Sequence, residues 1–164
     1  MLHNKTQNSI PSLSNQNEIL VIDLLQNYLK TNPQIGYLTV YVYQDSIVYG
    51  RLPVANAKIT LCKFLGNGFY VCKVIMTDID GKTESVPVPT VSAELSRSPE
   101  NVTRNAVYDI NVEAPGFTMS EVFHIPVFEG ITSIQNVNLS PVTQQVQQEN
   151  LKDNENWGEK NGNN

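Results

Sequence analysis

The stretch from Val107 to Leu139 most constrains the fold, because its apolar residues recur at every second position. Apolar and polar side chains alternate from Tyr108 to Glu113, which is typical of a strand with one buried and one solvent-exposed face. Ala114-Pro115-Gly116 ends this run with turn residues, and two further apolar runs end at Val127 and Leu139. Three such strands predict a β-meander, whose apolar face needs a second sheet to cover it.

Similar alternation elsewhere predicts the other strands. They are expected over residues 37–44, 57–62, 69–76 and 84–88, with an irregular strand near 93–95. In the last run Ile134 is out of step with Val137 and Leu139, which predicts a bulge there. Counting the regular runs without the irregular one, the sequence therefore predicts an all-β sandwich of about seven strands over residues 34–142.

The two ends of the chain differ from this middle. Residues 1–16 and 143–164 are rich in Asn and Gln, and such segments bury too little apolar surface to offset the entropy of ordering, so we expect disorder. Residues 17–33 form an amphipathic helix and its linker, because apolar residues recur there at spacings near 3.6. Two interpretations stay open: a lid on its own domain, or a docking helix for another copy or another protein.

Charge and hydropathy exclude several classes of protein. The net charge is -5 and the pI is about 4.9, which argues against a nucleic-acid partner. No apolar run reaches the roughly 20 residues that cross a membrane, so we expect no membrane insertion. The first residues lack a basic region followed by an apolar core, and we therefore expect no signal peptide.

The two cysteines occupy informative positions. If Gly66-Asn67-Gly68 turns a hairpin, counting back along both strands puts Cys62 directly opposite Cys72. Facing residues of an antiparallel pair can lie within disulfide reach. A reduced pair in a reducing cytosol is the other interpretation.

Three tyrosines share one face of the first predicted strand. These residues, Tyr37, Tyr41 and Tyr43, are named the tyrosine face here. Such a surface could stack against sugar rings. The alternatives are a half-buried sheet surface and a strand covered by a helix.

Residues that could support catalysis or bind a metal are scattered. His3 and His124 lie far apart in sequence, without the spacing of a zinc site. Ser120 and Glu121 precede His124, but no nucleophile motif surrounds the serine. The Asp78–Gly81 segment resembles the start of a calcium loop, yet the later acidic ligand is missing, so a tight turn is favoured. We expect no catalytic residue, no metal and no cofactor.

Four segments occur in the order found in one known family. They are GYLTVYVY (Gly36–Tyr43), LPVANAKITL (Leu52–Leu61), TDIDGKT (Thr77–Thr83) and YDINVEAPGF (Tyr108–Phe117). In these the chain resembles carboxypeptidase regulatory-like domains, which implies a transthyretin-like, immunoglobulin-like β-sandwich without catalytic residues.

The closing segment narrows this resemblance. VFEGITSIQNVNLSPV (Val127–Val142) is similar to a clostridial branch of the family, found in the non-catalytic N-terminal region of spore cortex-lytic enzymes. The resemblance implies a cytoplasmic or spore-associated binding or regulatory module whose partner is a cortex hydrolase or another spore component. A peptidoglycan-binding module that uses the tyrosine face is an alternative. Another is a small assembly protein that self-associates through its helix or an open sheet edge.

Overall fold

The computed structural model describes residues 13–97 and 105–142, which fold into two helices and eight strands. The helices are α1 (Leu13–Thr31) and α2 (Ala93–Arg97). The strands are β1 (Gln34–Ser46), β2 (Gly50–Pro53), β3 (Lys58–Gly66), β4 (Phe69–Met76), β5 (Val86–Thr90), β6 (Ala106–Glu113), β7 (Ser120–Val127) and β8 (Thr132–Asn138). The disorder predicted for residues 1–12 and 143–164 falls outside the described residues. Residues 13–16, predicted to be disordered, belong to α1.

β1 is the organising strand of the first sheet. It pairs antiparallel with β2 and β5 and parallel with β8. Its even-numbered residues Leu38, Val40 and Val42 are buried, as the period of two requires. Its tyrosines lie on the other side, which is called the outer face of the first sheet.

The second sheet has the order β4-β3-β6-β7, and all its strands are antiparallel. Alternate residues of β3 and β6 join those of β1 in a single buried cluster, which includes Ile59, Leu61, Ile110 and Val112. The two sheets therefore share one apolar core, and the all-β, sandwich-like prediction is confirmed at this level.

Three details of the predicted topology are wrong. Eight strands are present in the described residues instead of seven, because the segment after Asp45 contains β2. Residues 93–97 form a helix, not a strand. The last run also leaves the predicted meander: β8 crosses to the first sheet and pairs with β1. Alternation specifies a buried face but not which neighbour covers it, so either sheet could have accepted β8.

The bulge lies in a different strand from the predicted one. β8 pairs with β1 without a register shift, and Ile134 is out of step because it points to solvent. Between β6 and β7, however, the register shifts opposite Asp109. His124 has a φ of 60° there, and its amide donates a hydrogen bond of 2.8 Å to Asp109 Oδ1. The Asp109 carboxylate thus compensates for the ladder bond that the bulge removes.

The turn over residues 77–83 is hydrogen-bonded to β1. Asp78 Oδ1 accepts the amides of Asp80 and Lys82 at 3.0 and 2.9 Å. Gly81 has a φ of 71°, and its carbonyl accepts the Val42 amide at 2.7 Å. A Cβ on Gly81 would clash with the Val42 carbonyl oxygen. The glycine of this motif is therefore required by both its backbone angle and its contact with β1.

Replacing Gly81 by alanine should destabilise the protein more than the same change at Gly116. Both glycines have positive φ, but a Cβ at Gly116 meets nothing within 4 Å. We expect Gly116→Ala to lower the free energy of unfolding by about 1 kcal/mol through backbone strain alone, and Gly81→Ala by about 3 kcal/mol or more through the added clash. Urea unfolding of both variants measures this difference, and equal losses would contradict it.

Candidate functional site

The tip of the β1–β2 hairpin exposes three consecutive large apolar side chains. Ile47 is fully exposed, and Val48 and Tyr49 are 78% and 77% exposed. These three residues are called the hairpin tip. The turn is ordered by Ser46, whose hydroxyl accepts the amides of Val48 and Tyr49 at 3.3 and 3.2 Å. An ordered turn that presents apolar side chains to solvent is typical of an interaction surface.

A polar network holds the base of this hairpin. The Asp45 carboxylate accepts a 2.7 Å hydrogen bond from Asn138 and lies 3.8 Å from Arg51 Nε. The Arg51 guanidinium lies 4.3 Å from the centre of the Tyr43 ring. These contacts join β1, β2 and β8. The hairpin tip is therefore presented on a base fixed from three strands, which lowers the entropy lost when a partner binds.

The structure places the tyrosine face on the outer face of β1, as the sequence predicts. Two of its rings are already in contact with cations. Lys82 Nζ lies 5.5 Å from the centre of the Tyr41 ring, and Arg51 lies over Tyr43. Tyr37 is only 38% exposed. The surface thus matches the half-buried alternative. Sugar stacking on it stays a prediction, for which the contacts with Lys82 and Arg51 leave little free area on the Tyr41 and Tyr43 rings.

Cys62 and Cys72 face each other on β3 and β4 and form a disulfide. Their Cα atoms lie 4.1 Å apart, and ten positions separate them in sequence. Of the two alternatives, the structure therefore contains the cross-strand disulfide. Their strand positions alternate with the buried Leu61, so the bond lies on the outer face of the second sheet.

Helix α1 is joined to the sandwich through Tyr28. Its hydroxyl lies 2.7 Å from the Tyr108 hydroxyl, and the Pro89 carbonyl oxygen lies 3.1 Å from the Tyr28 hydroxyl and 2.6 Å from the Tyr108 hydroxyl, so the two hydroxyl hydrogens are shared among the three oxygens. Lys63 Nζ lies 5.1 and 5.5 Å from the two ring centres and donates to the Val107 carbonyl at 2.9 Å. A cavity of about 170 Å³ lies beside this group. Contacts between α1 and β3 support the lid interpretation.

Burial shifts the ionisation of this group. It raises the pKa of Tyr108 and of Tyr28, and the Tyr28–Tyr108 hydrogen bond adds to the rise at Tyr108 while opposing it at Tyr28. Burial lowers the pKa of Lys63, and the Asp109 charge opposes that shift. Both tyrosines therefore stay protonated as hydrogen-bond donors, and the group serves to fix the helix.

Stability should fall with pH once ordinary tyrosines ionise. The unfolded chain releases tyrosine protons above about pH 10, whereas the raised pKa of Tyr28 and of Tyr108 makes the native chain release these two protons later. The free energy of unfolding should therefore decrease above about pH 10.5. Lys63 has the opposite dependence, because its lowered native pKa makes stability rise with pH until the unfolded lysine has also lost its proton, about one unit above its pKa of roughly 10.5.

Urea unfolding between about pH 10.5 and 12 tests this dependence. Tyr28→Phe should show a shallower decrease than the native chain, since one of the two tyrosines with a raised pKa is removed. Tyr49→Phe, at the exposed hairpin tip, is the matched control and should keep the native slope. Identical slopes in all three proteins would contradict the assignment.

Of the two histidines that the sequence analysis weighed as metal ligands, the structure describes one. His124 is exposed on the bulge of β7, and His3 lies outside the described residues. Within residues 13–97 and 105–142, no group of three or more His, Cys, Asp or Glu residues is arranged to hold a metal ion. In the same residues no helix is long and apolar enough to cross a membrane.

Sequence reasoning missed two of these features. The hairpin tip had a readable signal, since Ile47-Val48-Tyr49 lies between turn-forming Ser46 and Gly50. The group of Tyr28, Tyr108 and Lys63 had no such signal, because its members are brought together only by packing of the helix against the sheets. Tyr28 and Tyr108 are 80 residues apart in sequence, and Lys63 and Val107 are 44 apart. A pattern of neighbouring residues cannot predict contacts over such separations.

Comparison with known proteins identifies no family. No family model matches the chain, and no curated protein matches it. Solved structures resemble it only distantly. They include the TIE protein of Bacillus anthracis, with a TM-score of 0.43 and 11% identity over 66% of this chain and 17% of that chain. Chlorocatechol 1,2-dioxygenase from Pseudomonas putida has a TM-score of 0.41 and 14% identity over 65% of this chain and 59% of that chain.

An (S)-allantoin synthase has a TM-score of 0.40 and 14% identity over 77% of this chain and 53% of that chain. This chain thus spans less than two thirds of each of these three proteins. Similarities at this level support no inference about function. The class that the described residues define is a two-sheet, all-β, sandwich-like domain.

Proposed function

We propose that this protein is a non-catalytic binding module that docks onto a protein partner through the hairpin tip. The observation that supports this most is the exposure of Ile47, Val48 and Tyr49 on an ordered turn. Solvent-exposed apolar side chains contribute nothing to the core, whereas the same side chains in a partner's pocket can supply most of the binding energy.

A protein partner suits this surface better than a lipid bilayer. Peripheral membrane binding by a small apolar insertion usually needs flanking basic residues that contact anionic lipids. Here Arg51, beside the tip, is paired with Asp45, and the chain carries a net charge of -5. An uncharged aliphatic and aromatic tip on a preordered base instead matches an anchor for a protein pocket.

The resemblance described above suggests where this module acts. We propose a transthyretin-like or immunoglobulin-like domain of the carboxypeptidase regulatory-like kind, whose partner is a cortex hydrolase or another spore component. The order of the four sequence motifs supports this, and the two-sheet fold is compatible with it. The Cys62–Cys72 disulfide favours the spore or envelope over the cytosol, since disulfides persist mainly in oxidising surroundings.

Capture from sporulating cells tests the docking proposal. The full chain should recover a partner that the double variant Ile47→Ser/Tyr49→Ser recovers at least about tenfold less well, because apolar anchors account for most of an interface's affinity. Ile79→Ser is the matched control, since Ile79 is 82% exposed on a different loop. Its recovery should equal that of the native chain.

The same effect of the variants must appear with purified components. The recovered protein, once purified, should bind the native chain and Ile79→Ser equally and the tip variant about tenfold more weakly. Equal recovery by all three chains, or loss only with Ile79→Ser, would contradict docking through the tip. Tip-dependent binding to vesicles of anionic lipid, with no protein recovered, would assign a membrane instead.

Self-association is a second candidate, and the helix gives one observation in its favour. Ile19, Ile22 and Leu29 lie within one sector of α1 and are exposed, whereas Tyr28 faces the sandwich. A second copy could cover this sector. Light scattering of the native chain and of the tip variant separates the two candidates. If both proteins have the mass of a dimer, pairing through α1 is favoured.

A further inference from the structure

A groove of about 280 Å³ crosses the outer face of the second sheet, on the side opposite the shared core. Its centre is polar and is formed by Thr60, Asp109, Asn111 and Glu121. These residues come from three adjacent strands: Thr60 pairs with Asn111, and Asn111 pairs with Glu121. Thr60, Asn111 and Glu121 are thus fixed by regular backbone pairing, while Asp109 lies at the β6–β7 bulge and is held by the His124 amide.

Hydrogen-bond acceptors outnumber donors at the polar centre of the groove, where two carboxylates face one hydroxyl and one side-chain amide. Asn111 Oδ1 is buried and has no hydrogen-bond partner in the described part of the chain. Asp109 Oδ1 accepts the His124 amide, which leaves its second oxygen for a ligand, and Glu121 contributes another carboxylate. A buried acceptor without a partner is costly. The centre is therefore matched to a ligand that carries several hydrogen-bond donors.

Exposed aromatic rings flank this centre. Tyr70, on β4, is 55% exposed and lies against Phe64 with ring centres 4.9 Å apart. Phe123, on β7, is 59% exposed. β4 and β7 are the outermost strands of this sheet, so the two aromatic positions are separated by three strand spacings, or about 14 Å. The ligand must therefore be elongated and must present apolar patches beside its donors.

We propose that this groove binds a short neutral or amino-bearing oligosaccharide. Sugar rings combine apolar C–H faces, which pack on aromatic rings, with hydroxyl groups that donate hydrogen bonds to the Asp109 and Glu121 carboxylates. No lysine or arginine lines the groove among the described residues, which disfavours acidic or phosphorylated sugars. A peptide is disfavoured as well, because its carbonyl groups would compete for the few donors of a groove in which acceptors outnumber donors. This site is independent of docking through the hairpin tip.

Titration of the full-length chain with three defined probes tests the proposal. The probes are the tetrasaccharides of N-acetylglucosamine, of β-1,4-linked glucose and of α-1,4-linked glucose, and calorimetry reports their affinity. At least one should bind the native chain. Phe123→Ala should weaken that binding about tenfold or more, as truncation of an aromatic anchor does. Glu121→Gln removes a charged acceptor and should weaken binding by a smaller factor while keeping the side-chain shape.

Tyr37→Ala is the matched control, since Tyr37 lies on the outer face of the other sheet. It should bind the tetrasaccharide as well as the native chain does. Circular dichroism of each variant identifies any loss of fold, and Glu121→Gln keeps the test valid if Phe123→Ala is unstable. Three outcomes would overturn the proposal: no binding by any probe at millimolar concentration, loss of binding only in Tyr37→Ala, or groove-dependent binding of an alanine–lysine hexapeptide and of no sugar.

Discussion

The pairing of β1 with three other strands is the constraint on which the rest of the structure depends. Leu38, Val40 and Val42 are almost fully buried. The backbone of the same strand bonds to the turn before β5: Val42 donates to the Gly81 carbonyl at 2.7 Å, and Val40 donates to Thr83 Oγ1 at 3.0 Å. β2, β5 and β8 pair with β1 but not with one another. Loss of the hydrogen bonds made by β1 would therefore break up the first sheet and remove its apolar face from the shared core.

The features that sequence predicted correctly are local or follow from local register. The alternation in β6 gave its buried face, and the Gly66-Asn67-Gly68 turn fixed the register that brings Cys62 opposite Cys72. The parallel pairing of β8 was missed because it joins segments about 95 positions apart, and the same alternation would suit either sheet. For the candidate sites, the hairpin tip could be read from adjacent residues, but the groove depends on the register of four strands.

The two proposed binding surfaces differ in the physics that each would use. The hairpin tip is apolar, projects beyond the sheets and rests on the polar network around Asp45. The groove is a polar depression between aromatic rings, and its acceptors include the carboxylates of Asp109 and Glu121. The first suits the pocket of a protein and the second suits a donor-rich sugar. A module that contacts a protein and a glycan together would be consistent with a role in a spore or cell envelope.

Native-state hydrogen exchange tests the central structural claim most directly. If β1 holds the first sheet to the core, the amides of Val40 and Val42 should exchange only through global unfolding, and their exchange free energy should equal the free energy of unfolding measured with urea. The amide of Ile47, at the solvent-exposed tip, should exchange with little protection. Exchange of Val40 and Val42 through a local opening, at a free energy well below the global value and below that of Leu61 on β3, would contradict this account.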